Sequence, residues 1–530
     1  MGTFEEVPWK KAAGKQVLGC KWVFVYKTDK HGFLQKCKAR LVVCGNQQKE
    51  GDLPTRATTL AGLSFRALMA IAAEYDLELE QMDAVNAFVN SPIDEVVFIR
   101  MPPGFTRPGR VLLLRKALYG LRRSPLLWQQ HLTGSLEALG FEKVPQEPCV
   151  MRKAGVLVFF YVDDFIWAYR KEDKEIAKEA MAGLQQRYRM SLLGEPRWFL
   201  GIHILRDRAR KTIWLTQDAY IEKITHKLIG DPSLLSQRFP DTPMQDEELV
   251  PAPIAWQASQ KEVHQFQQKV GSILFAAIST RPDIAFAVSR LGRQNQNPDS
   301  THQMAADRVL LYLFATKSYG IRLGGGEKEA EIFVCSSDSS FADNSLDRKS
   351  SQGYVMTLFG GPIAWRASKQ ATVATSSTEA EFLAISEAAK EAIFLSRQIR
   401  DFGKNKTPGT RRRYAVIARG FEAQEQTLAE HSNRIAKLEE EVARLQRGKK
   451  RRAIPNPNRR FMTLSEALVV EEAIPPIESQ EIPVVLNSDT EEEEVSEVET
   501  ASVIEVKEVA PEALPFTTRS GRVVKRRRYK

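Results

Sequence analysis

The stretch Gly155 to Tyr169, GVLVFFYVDDFIWAY, constrains this chain more than any other. Two apolar runs, Val156 to Val162 and Phe165 to Tyr169, flank Asp163 and Asp164. Aromatic and β-branched residues dominate both runs, which predicts a β-hairpin with two carboxylates at its tip. Neighbouring anions repel by about 1 kcal/mol at 4 Å in water and by several times more near a protein surface, so a fold that sets them between buried strands supplies cations. Two divalent metals about 3.5–4 Å apart are the usual answer, and phosphoryl transfer is their usual work. A solvated Asp-Asp turn satisfies the same residues and, on them alone, is the commoner case.

At 530 residues and 43% hydrophobic content the chain is long enough for two or more full cores. Lys and Arg outnumber Asp and Glu by 76 to 66, a formal +10, which suits a polyanionic partner such as nucleic acid. Cys20, Cys37, Cys44, Cys149 and Cys335 are scattered without a Cys-x-x-Cys pair, so neither a disulfide framework nor a zinc site is indicated and a reducing compartment is the simpler reading. No signal peptide opens the sequence and no apolar run approaches the ~20 residues that span a bilayer. The expectation is an intracellular protein of cytoplasm or nucleus, with no membrane partner.

Taken in order, Lys21 to Tyr26 and Lys38 to Val43 read as strands. The second carries Lys38 and Arg40, which either hold a triphosphate or are solvated charges on an exposed face. Ser64 is an N-cap candidate for a helix from Phe65 to Tyr75, where Leu68, Ile71, Ala72 and Tyr75 fall at helical spacing. Leu77 and Leu79 then alternate with Glu78 and Glu80 in a half-buried strand that ends at Asp83. That carboxylate either forms a second metal-binding arm or caps the following turn. KALYGLRRSP sets Lys116, Arg122 and Arg123 beside Tyr119, as a nucleotide or nucleic-acid surface would. A helix from Trp128 to Leu139 precedes the hairpin.

Beyond the hairpin, Lys171 to Leu192 reads as a charged amphipathic helix, Trp198 to Ile204 with Thr212 to Leu215 as another hairpin, and 218 to 330 as largely helical. A strand-rich block opens at Glu331. It puts Asp338 near a strand end, and a long helix from Ser377 carries Glu381 one turn in. The pair starts a second metal site; alternatively, Glu379 makes a cap with Ser376 and Glu381 is solvated. Phe421, Leu428, Ile435 and Val442 recur every seven residues, with Leu438 and Leu445 between them, which predicts a short coiled coil weakened by Gln424 and His431. Charge blocks with few aromatics predict disorder over 449 to 530.

Together these pieces resemble the polyprotein of copia-type long-terminal-repeat retrotransposons, from Gly2 to about Phe402. WVFVYK, KARLVVCGNQQ, QMDAVNAFVN, MPPGF, KALYGLRRSP, YVDD, LGEPRWFLGI, VGSILF, RPDIAFAVSR, DRKSSQGYV, GGPIAWRASKQ and SSTEAEFLAI occur in that family's order. The resemblance implies an α+β fold: reverse transcriptase fingers and palm over 1–245, a helical thumb or connection over 246–330, and a partial RNase H-like domain over 331–403. A coiled coil over 404–448 and a disordered charged tail over 449–530 follow. The chain is expected to begin inside the fingers, without capsid, protease or integrase regions.

The same resemblance implies residue roles. Asp83, Asp163 and Asp164 would hold two magnesium ions, with manganese as a substitute. Phe88 would block a ribose 2′-hydroxyl, Lys38 and Arg40 would hold the triphosphate, and Tyr119 and Gly120 would line the nucleotide pocket. Trp198 to Ile204 would grip the primer. Asp338 and Glu381 match the first two RNase H acids; the third is missing, with Asp343 and Glu387 as the nearest alternatives, so little nuclease activity is expected. The function implied is an RNA-directed DNA polymerase acting on an RNA template, a DNA primer, an RNA–DNA hybrid and deoxynucleoside triphosphates, self-associating through 421–446. The competing reading is a non-catalytic relic or a nucleic-acid-binding fusion that works through its coiled coil and basic tail.

Overall fold

In the computed structural model, residues 2–28, 34–49, 53–230, 239–245, 248–325 and 332–403 are described, together with Lys437. The expected coiled coil, apart from Lys437, and the expected tail lie outside them. Described residues up to Gly403 belong to one compact unit.

Its centre is a six-stranded antiparallel sheet in the order Met190–Gly194, Glu78–Ala84, Asp164–Tyr169, Val156–Tyr161, Glu147–Lys153, Glu142–Val144. The expected hairpin forms its middle, and Val156 to Phe160 are buried on both faces because VLVFF offers no polar face to water. Helix Gly62–Glu74 is buried all round from Ser64 to Ala73, as a helix without a polar stripe must be. Phe65 packs on Phe159 and Phe199 at ring-centroid distances of 6.3 and 5.1 Å.

The structure corrects three local expectations. Ser64 is not an N-cap: the helix starts at Gly62, and its end is satisfied by Glu147 of the central sheet, whose Oε2 accepts from Ala61 N at 3.1 Å and Ser64 Oγ at 2.7 Å. The helix expected over Lys171 to Leu192 ends at Arg187, and Met190–Gly194 becomes a strand because the open edge beside Asp83 captures it. Such pairing overrides local propensity. At the end of the segment expected to be helical, Gly320–Gly324 is a strand paired with Thr212–Thr216 in a second sheet that also holds Ile202–Asp207 and Trp198–Phe199.

A hairpin of Cys20–Thr28 and Leu34–Val43 stands beside a small sheet built from Phe4–Pro8, Arg110–Leu114, Phe98–Ile99 and Val17–Leu18. Helices Asp218–Leu228, Gln260–Ser279, Ala285–Gly292 and Ser300–Ala315 share their own core around Phe266, Ile273, Leu291 and Leu313. Three antiparallel strands, Phe333–Ser340, Ser351–Leu358 and Gly361–Lys369, precede helix Ser377–Gly403. Their Phe333, Met356, Ile363, Leu395 and Phe402 belong to the same hydrophobic core as Phe65, Phe159 and Trp167. Arg66, only 6% exposed, pins three parts together: it donates to Ile363 O at 2.7 Å, Ile278 O at 2.7 Å and Ser279 O at 3.1 Å, and lies 4.1 Å over the Trp365 ring. Burial holds this guanidinium down at about 9. Among the described residues, no helix is long and apolar enough to cross a membrane.

Candidate active site

Strand alternation sends Met82 and Ala84 into the core and leaves Asp83 half-buried on the other side. Asp164 opens the neighbouring strand and lies directly opposite Asp83 in the register. Asp163 sits in the two-residue turn that closes the Tyr161–Asp164 pair, and its carbonyl accepts from Ala84 N at 2.8 Å. Burial, then Asp163, then Asp83 push the Asp164 carboxyl up to about 7, opposed by a hydrogen bond from Gln81. Asp163 is raised too, by burial first and Asp83 second, against the pull of its own backbone, Lys38 and Arg40. The three acids therefore feel one another.

Val162, the other turn residue, has φ +55°. A β-branched side chain in the left-handed region is strained by about 1–3 kcal/mol and persists only where its surroundings impose it. Here the Val162 carbonyl accepts from the indole N–H of Trp128, on helix Ser124–Glu137.

Opposite the acids is a cationic and aromatic wall. Lys38 and Arg40 alternate along Leu34–Val43, and the Arg40 guanidinium lies 5.7 Å over the Tyr119 ring. Tyr119 packs edge-on against Phe88 with ring centroids 4.8 Å apart. Burial first and Asp163 second push its hydroxyl up, while Arg40 opposes them. Val43 N donates to Tyr119 O at 2.8 Å, so the strand lies against Tyr119-Gly120. Gly120 is required there: its φ is +90°, and a Cβ would come within 2.0 Å of Val43 O. Lys38, Arg40, Asp83, Phe88, Tyr119, Gly120, Asp163 and Asp164, scattered over some 125 positions of sequence, thus surround one space.

Among the described residues, no three His, Cys, Asp or Glu side chains are gathered closely enough to hold a metal ion, so the acids face one another without closing into a cage. Their chemistry nonetheless fits a hard divalent cation. All the donors are carboxylate oxygens, and burial with the repulsion of neighbouring acids raises Asp163 and Asp164.

The second acidic pair lies elsewhere. Ser339 joins it, donating from Oγ to Glu381 Oε1 at 2.9 Å and from its amide to Asp338 Oδ1 at 2.8 Å. The two further acids considered above are engaged otherwise, Asp343 with Arg290 at 2.6 Å and Glu387 with Arg366 at 2.6 Å. Glu379 accepts from Thr375 N at 2.6 Å, while Glu379 N bonds Ser376 Oγ at 3.1 Å, so the expected cap forms. Sequence reasoning passed over Trp128 and Gln81, both of which reach the acidic turn. The one available signal was Trp128's indole N–H, which needs an acceptor wherever the ring is buried.

Residues 5–231 match the family model described as reverse transcriptase (RNA-dependent DNA polymerase). A protein named for transposon Ty5-1 in Saccharomyces cerevisiae is 31% identical over 318 residues, 58% of this chain and 100% of that protein. The chain belongs to the copia-type retrotransposon reverse transcriptase family. The retrovirus-related Pol polyprotein from transposon TNT 1-94 of Nicotiana tabacum is 32% identical over 417 residues. That match covers 76% of this chain but 30% of the tobacco protein, so the chain spans under a third of that relative's length. A solved foamy viral protease-reverse transcriptase in complex with RNA/DNA hybrid is similar at 16% identity and TM-score 0.39, over 70% of this chain and 44% of that one.

Proposed function

We propose that the chain is an RNA-directed DNA polymerase that extends a DNA primer on an RNA template. The observation that carries this reading is the facing of Asp83 and Asp164 across paired strands, with Asp163 in the turn and Lys38, Arg40, Phe88 and Tyr119 opposite. In this reading the central sheet is the palm, the Cys20–Thr28 and Leu34–Val43 hairpin the fingers, the helices from Gln260 to Ala315 the thumb, and residues 332–403 an RNase H-like segment.

Lys38 and Arg40 neutralise and orient the triphosphate of an incoming deoxynucleotide, as cations do for transferring phosphoryl groups. Tyr119 braces Phe88 from behind, and Phe88 presents an apolar edge where a ribose would carry its 2′-hydroxyl. Asp83, Asp163 and Asp164 would hold two magnesium ions, which lower the pKa of the attacking hydroxyl and stabilise the leaving pyrophosphate when bound. Manganese, also an oxygen-seeking ion, would substitute. Five free cysteines accord with work inside the cell. The chain would bind an RNA–DNA hybrid through its basic surfaces without cutting it, because among the described residues no group of three His, Cys, Asp or Glu that could hold a metal ion includes Asp338 and Glu381.

Primer extension by the purified chain on an RNA template, with Asp163→Asn as control, tests the polymerase. Equal extension by the two proteins overturns the assignment. Hybrid cleavage that disappears in Asp338→Asn would overturn the silent nuclease. Self-association through 421–446 is read by sedimentation, where a monomer at micromolar concentration removes it.

A further inference from the structure

We propose that Trp128 is a positioning residue that sets the conformation of the acidic turn through one hydrogen bond. Its ring is 1% exposed, and its only polar atom, the indole N–H, is spent on the carbonyl of Val162. Val162 immediately precedes Asp163 and has φ +55°, a conformation a valine does not hold unaided. In an ordinary extended or helical conformation of Val162 the following peptide would rotate and carry Asp163 and Asp164 away from Asp83. The bond to Trp128 therefore does the work that glycine or asparagine does in other tight hairpins.

Trp128 also reaches the other acidic arm. Its ring meets Tyr188 edge-on at 5.3 Å. Tyr188 is tied to the same helix by a 2.5 Å hydrogen bond between its hydroxyl and Ser135 Oγ. The next residue, Arg189, accepts from Val85 N at 2.9 Å, and the strand Met190–Gly194 that follows pairs with the strand of Asp83. One buried indole thus touches both the acidic turn and the residue that leads into the strand on the far side of Asp83. Pro125 in the first turn of helix Ser124–Glu137, where a missing N–H costs nothing, fixes the start of the element that carries it.

The functional consequence rests on the polymerase reading; the structural consequence does not, and the test keeps the two apart. Trp128→Phe keeps an aromatic ring and removes only the N–H. In the metal-free full chain, amide hydrogen exchange across 161–165 should accelerate about fivefold or more, while exchange in helix Gly62–Glu74 stays as in the parent. In primer extension, kcat should fall about 10- to 100-fold with KM for deoxynucleotide within about twofold, and more magnesium should be needed for half-maximal rate. Unchanged exchange across 161–165 overturns the proposal, and so does acceleration spread evenly over the whole core, which would make Trp128 packing alone. If the parent chain extends no primer, the polymerase reading fails while the exchange result still decides the role of Trp128.

Discussion

Asp164 faces Asp83 directly across two paired strands, a position where like charges destabilise a sheet. Lys38 and Arg40 pull on Asp163, but Asp164 still stands raised to about 7. A proton on Asp164 or an added cation relieves that repulsion.

Asp83→Asn should therefore stabilise the chain in chelator, by roughly 1–3 °C in melting temperature, since one member of the repelling trio is gone. The same variant should lose primer extension by about a thousandfold. Calorimetry with and without magnesium reads the first effect, and a lower melting temperature in chelator would mean that Asp83 is held by partners that compensate its charge.

Phe88→Ala should admit ribonucleotides. Phe88 is half-buried against Tyr119 and contributes bulk, not a hydrogen bond, so selectivity for deoxynucleotides should fall about 10- to 200-fold. Competition between a deoxynucleotide and its ribonucleotide on one template measures this; unaltered discrimination puts the gate at another side chain.

Gly120→Ala forces a methyl group into Val43 O and Val42 Cγ1 at a φ of +90°. The strand Leu34–Val43 must retreat from Tyr119, at a cost of about 1–3 kcal/mol in stability. Because Lys38 and Arg40 ride on that strand, KM for the nucleotide should rise roughly tenfold. A variant with parental stability and KM would show that the strand and Tyr119 do not move together.

Arg66→Ala removes a buried cation that satisfies three carbonyls from two distant segments and stacks on Trp365. The loss should be about 3–5 kcal/mol in denaturant unfolding. The parent should melt residues 332–403 together with the central sheet, since both share one core. Two separate transitions in the parent would contradict that.

The hairpin was legible because aromatic and β-branched runs identify its strands, with Asp163 and Asp164 between them, and Asp83 because Leu77 and Leu79 alternate with Glu78 and Glu80 in a strand that ends there. Strand Met190–Gly194 was not legible: four of its five residues are exposed, so MSLLG carries no alternation, and a helical pattern runs straight into it. Gly320–Gly324 was hidden for a related reason, since its pairing partner lies about a hundred residues upstream. Nor does any local pattern say that Glu147 will finish the helix at Gly62, or that Trp128 will hold a valine carbonyl. Those contacts exist only once distant segments have met.

The shared core has an evolutionary consequence. Selection for primer extension alone is enough to preserve Phe333, Ile363, Leu395 and Phe402, because replacing any of them hollows the body that supports the acidic turn. Asp338, exposed near the end of its strand, has no such protection. On the RNase H-like reading proposed above, genomic copies that drift under selection for DNA synthesis should therefore lose Asp338 and Glu381 first and keep the core around them.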